Sequence, residues 1–409
     1  MPVYLDHAAT TPMLPAAIAA YAAAAAAVGN PSSIHGYGQN AKRMLEEARE
    51  QIAETLGCDP IEIVFTSGGT EAVNSAIKGL YWARNPSVSG AFAPARPRIL
   101  IPGGEHHATI DAAQWLQQYQ GAQITWLPLD RQGRVRLEAV ATELDTDPES
   151  IALISMLWAN NEVGTIQPVE EIAALAASCG VPLHVDAVAT YGQLPIDFGQ
   201  IRLDTGGGAA GLVAISVSAH KIGGPVGIGA LVLSRRTAIA PLIHGGGQQR
   251  QVRSGTQDVA AAVSFAVAAS AAAARLSDEA IRLRGLRDRV IDGVLKAVPG
   301  ATLNGVRDGR LPGNAHFSFP GCEGDSLLFL LDVAGVAVST GSACQAGIPE
   351  PSHVLHAMGR TDLQARGALR ITLGHTSTPA DVDAFLAALP EAFVRASRAG
   401  FADRVVTLP

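Results

Sequence analysis

The stretch LVAISVSAHK, residues 212–221, is the clearest indication of the fold class. It is a mostly apolar run that ends in polar, chemically active side chains. The shorter stretch VPLHVD, residues 181–186, has the same form. Nearly continuous apolar runs of this length are typical of strands that helices cover on both faces. Proteins of the α/β class bind ligands at the carboxyl edge of such a sheet. The two stretches therefore predict strands that carry Asp186 and Lys221 to one edge.

Similar runs recur through the first two thirds of the chain and alternate with helical stretches such as Gln39–Leu56 and Pro168–Ser178. The other strands predicted in this part are Ile61–Phe65, Arg98–Ile101, Ile124–Leu127, Ile151–Leu157 and Gly229–Leu233. This alternation predicts a large α/β/α domain with a mostly parallel sheet, which we place at residues 14–258.

The residue pattern changes at about Val259, where it predicts an Ala-rich helix followed by charged helices up to Ala297. Three more strands are predicted beyond them, at His316–Phe319, Val336–Ser339 and Ala368–Leu373. We therefore expect residues 1–13 and 259–409 to form a smaller α+β domain.

Composition narrows the functional classes. The 409 residues are 48% hydrophobic, enough for two domains with a large buried core. The net charge of −7, without a block rich in Lys or Arg, argues against nucleic acid as a direct partner. The first residues lack a signal-peptide pattern, and Val259–Ala274 is short for a bilayer span, so we expect no membrane attachment. Four scattered cysteines favour free thiols in the cytoplasm, and no His/Cys spacing predicts a metal site.

Three local patterns carry chemistry, although each has an ordinary alternative. The stretch Thr66–Glu71 (TSGGTE) follows a strand and opens a helix, which suits a phosphate but also a plain glycine turn. Asp186 can pair with a protonated ring nitrogen or simply cap a helix. Lys221 can form a Schiff base or be a surface lysine after a strand.

The combination favours one interpretation. Between the phosphate pattern and Lys221 come Glu105-His106, Asn160-Asn161 and Asp186, each in a loop that follows a strand. A phosphate anchor, an imidazole, a hydroxyl partner, a counter-ion for the ring nitrogen and a lysine are what pyridoxal 5'-phosphate (PLP) requires. The sequence therefore predicts a PLP enzyme with Lys221 as the attachment point.

The chain resembles the cysteine desulfurases of fold-type I, within the class V aminotransferase superfamily. The stretches that carry the resemblance are YLDHAATTP (4–12), GNPSSIH (29–35), IVFTSGGTE (63–71), NNEVG (160–164), HVDA (184–187), HKIGGPVGIGAL (220–231), GGG with RSGT (245–247 and 253–256) and STGSAC (339–344). They extend from about residue 3 to about residue 390.

The resemblance implies a role for each matching residue. The residues it assigns to the cofactor are Gly69, Thr70, Ser218 and His220 for the phosphate, His106 for ring stacking and proton transfer, Asn161 for the ring hydroxyl, Asp186 for the ring nitrogen and Lys221 for the Schiff base. It also implies a homodimer in which Thr256 reaches the phosphate in the neighbouring subunit. Arg370 and Asn30 are expected to bind the substrate, with Arg370 on its carboxylate.

The resemblance makes Cys344 the catalytic nucleophile. Lys221 would take the α-proton of L-cysteine, and the Cys344 thiolate would then accept the sulfur as a persulfide, leaving L-alanine. The stretch after Cys344 suits the variety of enzyme that passes sulfur to an acceptor protein such as an iron–sulfur scaffold. Cys344 would then be a transient ligand of an iron–sulfur cluster, and no other metal ligand is predicted.

Three positions depart from the usual pattern. Ala189 stands where relatives have a Gln that bonds the ring hydroxyl, Ala219 replaces a Gly, and His375 replaces an Arg. They leave room for two alternatives: a selenocysteine lyase or other PLP-dependent C–S lyase, and a degenerate partner without activity. Cys344 argues against another C–S lyase or an aminotransferase but leaves the selenocysteine lyase open, and intact Lys221 argues against the degenerate partner.

Overall fold

The computed structural model describes residues 2–86, 94–341 and 351–402. In chain order the strands are β1 (Val3–Tyr4), β2 (Ile63–Thr66), β3 (Arg98–Pro102), β4 (Gln123–Leu127), β5 (Ile151–Leu157), β6 (Pro182–Asp186), β7 (Gly211–Ser218), β8 (Gly229–Leu233), β9 (Thr302–Leu303), β10 (Asn314–Ser318), β11 (Val336–Ala337) and β12 (Ala368–Thr372). The α-helices are α1 (Pro15–Ala25), α2 (Gly36–Leu56), α3 (Gly69–Arg84), α4 (His107–Gln120), α5 (Leu137–Thr146), α6 (Val169–Ser178), α7 (Phe198–Asp204), α8 (Val259–Ala297), α9 (Gly324–Val333), α10 (His353–Ala357), α11 (Asp362–Arg366) and α12 (Pro379–Ala402).

The large sheet has the strand order β2-β8-β7-β6-β5-β3-β4. Its pairs are parallel except those that β8 makes with β2 and β7. Every residue of β5 and β7 is buried, as their apolar runs require. Helices α3 and α4 pack on one face, and α2, α5, α6 and α8 pack on the other. The predicted α/β class with a mostly parallel sheet is therefore confirmed.

A second core lies under the antiparallel sheet β12-β10-β9 and the parallel pair β1-β11. Helix α8 connects the two cores, because its Ala-rich first half packs against α1 and α2 while Leu283, Val290 and Val294 enter the second core. The separate charged helices predicted after the Ala-rich stretch are wrong: α8 is one continuous helix that Asp258 caps at its start. The domain boundary at residue 258 stays a prediction.

Within the described residues, α8 alone is long and apolar enough to match a membrane span by length and composition. Half of its most apolar 18-residue stretch is buried inside the molecule. Phe265 and Ala262, for example, have no exposed surface because they pack between α1, α2 and the large sheet. We interpret α8 as a core helix, in agreement with the sequence analysis.

Candidate active site

The strand ends and the N-terminal segment enclose a cavity of about 420 Å³. The predicted site residues that line it are Gly69, Thr70, His106, Asn161, Asp186, Ser218, His220, Lys221 and Arg370. These residues come from six separate parts of the chain, and the large sheet collects five of those parts at its carboxyl edge, as parallel topology requires. The fold thus brings together most of the residues that the sequence assigned to one site.

Three predicted site residues are not placed in this cavity. Asn30 and Thr256 are exposed and do not line it. The side chain of Asn30 instead accepts a hydrogen bond from Ser32 N at 2.9 Å, within its own turn. Cys344 lies outside the described residues. Ser339 and Gly341, which precede it, and His353, which follows it, do line the cavity.

The TSGGTE stretch forms a compact turn that is suited to binding an anion. Strand β2 ends at Thr66 and α3 begins at Gly69, and because Gly69 and Thr70 line the cavity, the start of the helix with its unpaired backbone N–H groups lies at the cavity. Gly68 has φ of 152°, a conformation that side chains disfavour. A Cβ at Gly69 would lie 2.6 Å from Val188 Cγ2, so this position also needs glycine.

Ser218 contributes a buried hydroxyl to the same end of the cavity. Its Oγ is inaccessible to solvent and has no hydrogen-bond partner among the described residues. A buried hydroxyl without a partner is costly, so this position requires a polar ligand. Together with the start of α3, Ser218 therefore fits a phosphate group.

Asp186 ends β6 on the floor of the cavity. Its Oδ1 accepts a hydrogen bond from Val188 N at 2.9 Å, which fixes the carboxyl group. Burial raises the pKa of Asp186 to about 6, although that hydrogen bond and the positive charge of Lys221 oppose the shift. A protonated ring nitrogen beside it would stabilise the charged carboxylate, which is the role that the sequence predicted.

Lys221 is the cavity's amine. Its Nζ donates hydrogen bonds to the carbonyl oxygens of Ala8 and Ala9, the latter at 2.8 Å. Burial and then the positive charge of Arg370 lower the pKa of Lys221 to about 8. A substantial fraction of the amine is therefore neutral near pH 8, which both Schiff-base formation and proton abstraction require.

Two histidines flank the amine in the neutral form. Burial and then Lys221 lower the pKa of His106 to about 4, and the same causes lower the pKa of His220 to about 4. His106 Nδ1 accepts a hydrogen bond from Ala108 N at 3.0 Å, which places its ring proton on Nε2. His220 Nδ1 contacts Thr10 Oγ1 at 3.1 Å. Neither ring adds positive charge to the cavity near neutral pH.

Arg370 is held by two partners across the cavity. Its Nη2 forms an ion pair with Asp6 Oδ1 at 2.9 Å, and its Nη1 donates to Asn161 O at 3.0 Å. Its Nε is buried without a partner among the described residues. The fork of the guanidinium is thus fixed in direction and keeps donor capacity for a carboxylate.

Sequence reasoning missed the contribution of the N-terminal segment. Asp6 orients Arg370, the carbonyls of Ala8 and Ala9 hold Lys221, and Thr10 contacts His220. The stretch YLDHAATTP signalled the family but gave no role, because two of these contacts use backbone atoms. The sequence pattern assigns no role to Glu105. It is fully buried, its Oε1 accepts from Leu157 N at 2.9 Å, and burial holds its pKa well above the ordinary value.

Among the described residues, neither the thiols nor the side chains that could bind a metal form a second catalytic or metal-binding centre. Cys58, Cys179 and Cys322 are free, and burial raises the pKa of Cys322 to about 11 and that of Cys58 further. Buried thiols with raised pKa values are poor nucleophiles. Across residues 2–86, 94–341 and 351–402, no group of three or more His, Cys, Asp or Glu side chains is arranged to hold a metal ion.

Comparison with known proteins identifies the family of the chain. The aminotransferase class-V family profile matches residues 3–385. The chain is 53% identical over 400 residues to the IscS-like cysteine desulfurase of Mycobacterium tuberculosis, covering 98% of each chain. It is 41% identical to cysteine desulfurase IscS of Dictyoglomus turgidum, covering 93% of this chain and 92% of that protein.

Solved structures give the same result. A NifS-like protein superposes with a TM-score of 0.85 at 34% identity, covering 97% of this chain and all of that one. The NifS-like protein from Rickettsia africae gives 0.83 at 30% identity, covering 96% and 100%. The resemblance stated from the motifs is thereby confirmed: the chain belongs to the class V aminotransferase family, within its cysteine desulfurase branch.

Proposed function

We propose that this protein is a PLP-dependent cysteine desulfurase that converts L-cysteine to L-alanine and carries the sulfur as a persulfide on Cys344. The observation that carries the proposal is the single cavity in which Lys221, Asp186, the start of α3 and Arg370 converge. An amine, a buried carboxylate, an anion-binding turn and a guanidinium are the groups needed to hold PLP and an amino acid together.

The residues of the cavity fit PLP at each end. The start of α3 and the unpaired Ser218 hydroxyl would hold the phosphate, Asp186 the ring nitrogen, and Lys221 the aldehyde carbon. PLP would supply an electron sink at the substrate's α-carbon. The protein's contribution is to orient the substrate and to move protons.

Two residues would then act on the substrate. Lys221, as the neutral amine, would take the α-proton, and the carbonyls of Ala8 and Ala9 would stabilise the resulting ammonium. The Cys344 thiolate would attack the substrate sulfur, so that the substrate C–S bond breaks while an S–S bond forms on Cys344. Protonation of the carbon that loses sulfur, and return of a proton from Lys221 to the α-carbon, would complete alanine. In support, Gly341 lines the cavity only three residues before Cys344.

Arg370 would bind the substrate carboxylate, and Asp6 would position it. Asp6→Asn keeps the shape of the side chain but removes the charge that fixes the guanidinium. Since a hydrogen bond to a charged group contributes about 1.5–3 kcal/mol, we expect KM for L-cysteine to rise about tenfold or more, with a smaller change in kcat. Steady-state kinetics of alanine formation measure both constants.

Asp383→Asn is the matched control, because it disrupts an exposed ion pair with Arg289 and neither residue lines the cavity. We expect its kinetics to equal those of the wild type. An unchanged KM in Asp6→Asn would contradict the positioning role of Asp6, and a fall in kcat alone would indicate that Asp6 acts in a chemical step instead.

We also propose a homodimer. Asn30 and Thr256 are exposed in the single chain, and Val28, Ile34 and Tyr37 near Asn30 are 78%, 91% and 69% exposed. Large apolar side chains at such exposure are typical of a surface that a partner covers. A second copy would bury them and bring Thr256 to the neighbouring phosphate.

The free thiols support a reducing, cytoplasmic setting. The sulfur acceptor that fits a persulfide donor is a scaffold protein for iron–sulfur clusters.

The direct test is to incubate the purified holoenzyme with L-cysteine and a thiol reductant. We expect alanine and sulfide in equal amounts, because one C–S bond is broken for each alanine and the reductant releases the persulfide sulfur. Production of pyruvate and ammonia in place of alanine would identify a β-elimination lyase. Absence of turnover in a protein that carries PLP would support the degenerate partner.

A further inference from the structure

A small annex of about 20 Å³ adjoins the main cavity at Ala189. Ala8, Asn161, Ala189 and Lys221 line both spaces, so the annex opens beside the amine. Gln193 and Asn314 line the annex but not the main cavity. The short side chain of Ala189 leaves this space next to the position where the cofactor would be attached.

The annex lies on the hydroxyl side of the cofactor that the proposed function requires. In PLP the carbon that bonds a lysine has the ring hydroxyl on one side and the phosphate-bearing arm on the other. The phosphate-binding residues Gly69, Thr70, Ser218 and His220 line the main cavity, and none of them lines the annex. With the phosphate held at that end, Asn161 and Ala189 would be the residues beside the hydroxyl.

The annex has the size and polarity of a water site. Its volume exceeds the ~10–15 Å³ that one water needs, and a buried water requires two to four polar partners. Gln193 Nε2 donates to Ala189 O at 3.3 Å, a long bond that leaves the amide free to adjust. Asn314 is 2% exposed, and its Oδ1 has no hydrogen-bond partner in the described part of the chain.

We propose that Gln193, acting through one ordered water in this annex and together with Asn161, supplies the hydrogen bond to the cofactor's ring oxygen that Ala189 cannot make. Gln193 is thus a positioning residue, four residues after Ala189, and Asn314 is the second anchor of the water. The proposal rests on the proposed function, since it requires PLP attached to Lys221. Its consequence is a tuned proton affinity of the linkage nitrogen beside the ring oxygen.

The test is a pH titration of the visible absorbance of the resting holoenzyme, without substrate, in the wild type and in Gln193→Leu. A donor to the negatively charged ring oxygen weakens its hold on the proton of the adjacent nitrogen. Removal of the donor is therefore expected to raise the spectroscopic pKa by about one unit. Gln117→Leu, an exposed glutamine of α4, is the control and is expected to leave the value unchanged.

A second background separates positioning from general loosening of the structure. Ala189→Gln fills the annex with a direct amide donor, so Gln193→Leu in the Ala189→Gln background is expected to shift the pKa little or not at all. An equal shift in both backgrounds, or no shift in either, would overturn the inference. A wild-type protein that shows no visible band with PLP would instead overturn the proposed function, so the two failures are distinguishable.

Discussion

Replacing Lys221 with alanine is expected to abolish the visible absorbance band of covalently bound PLP. It is also expected to lower alanine formation by about 10⁴-fold or more. The chain has four lysines, at positions 42, 78, 221 and 296, and of these only Lys221 lines the cavity. Its lowered pKa of about 8 supplies a neutral amine inside the cavity. Under the proposed function, loss of Lys221 would remove both the attachment point and the base.

Absorbance spectra and borohydride reduction followed by peptide mapping measure this prediction. Lys42→Ala is the matched control, because Lys42 is exposed on α2, and it should keep the spectrum and the rate. Reduction should fix the cofactor to the peptide that contains Lys221. Recovery of the adduct at Lys78 or Lys296, or a Lys221→Ala protein with wild-type turnover, would show that the assignment is wrong.

The strands that hold the site could be predicted because they are buried on both faces. Ile151–Leu157 and Gly229–Leu233 have the predicted bounds, and in both strands every residue is buried. Such strands are mostly apolar, so the polar residues at the end of the run mark the sheet edge. That logic located Asp186 and Lys221 from the sequence.

The small-domain strands were harder to bound. The predicted strand Val336–Ser339 is shorter, with regular pairing only at Val336–Ala337. Ser339 instead makes an isolated bridge to Arg370, whose N donates to Ser339 O at 2.6 Å. This bridge ties the segment before Cys344 to the strand that carries Arg370. A local apolar pattern cannot reveal such a contact, because it depends on which strand lies beside it.

The contacts that tune the site were also beyond sequence reasoning. Asp6 and Arg370 are 364 positions apart, and Lys221 and Ala8 are 213 apart, so no local spacing connects either pair. The carbonyl acceptors of Ala8 and Ala9 exist in any residue type. The annex beside Ala189 shows the same limit: the substitution was visible, but the neighbouring polar groups Gln193 and Asn314 became visible only in the fold.

Under the proposed function, replacing Cys344 would separate sulfur transfer from cofactor binding. Cys344→Ser should keep the PLP spectrum, because no cavity residue assigned to the cofactor changes, yet lower sulfide and alanine release by about 10⁴-fold or more. A serine hydroxyl is a much weaker nucleophile than a thiolate at neutral pH, and it cannot accept sulfur as a persulfide. Mass spectrometry after a single turnover should find one added sulfur on the wild-type peptide that contains Cys344.

The matched control is Cys179→Ser, because Cys179 is a half-buried free thiol at the end of α6, away from the cavity lining. It should retain both the spectrum and the rate. If Cys344→Ser releases alanine and sulfide as fast as the wild type, the thiol is not the nucleophile and a lyase reaction that needs only Lys221 accounts for the activity. If the added sulfur appears on Cys58 or Cys322, these thiols act as nucleophiles despite the raised pKa values that burial gives them, and the assignment of Cys344 is wrong.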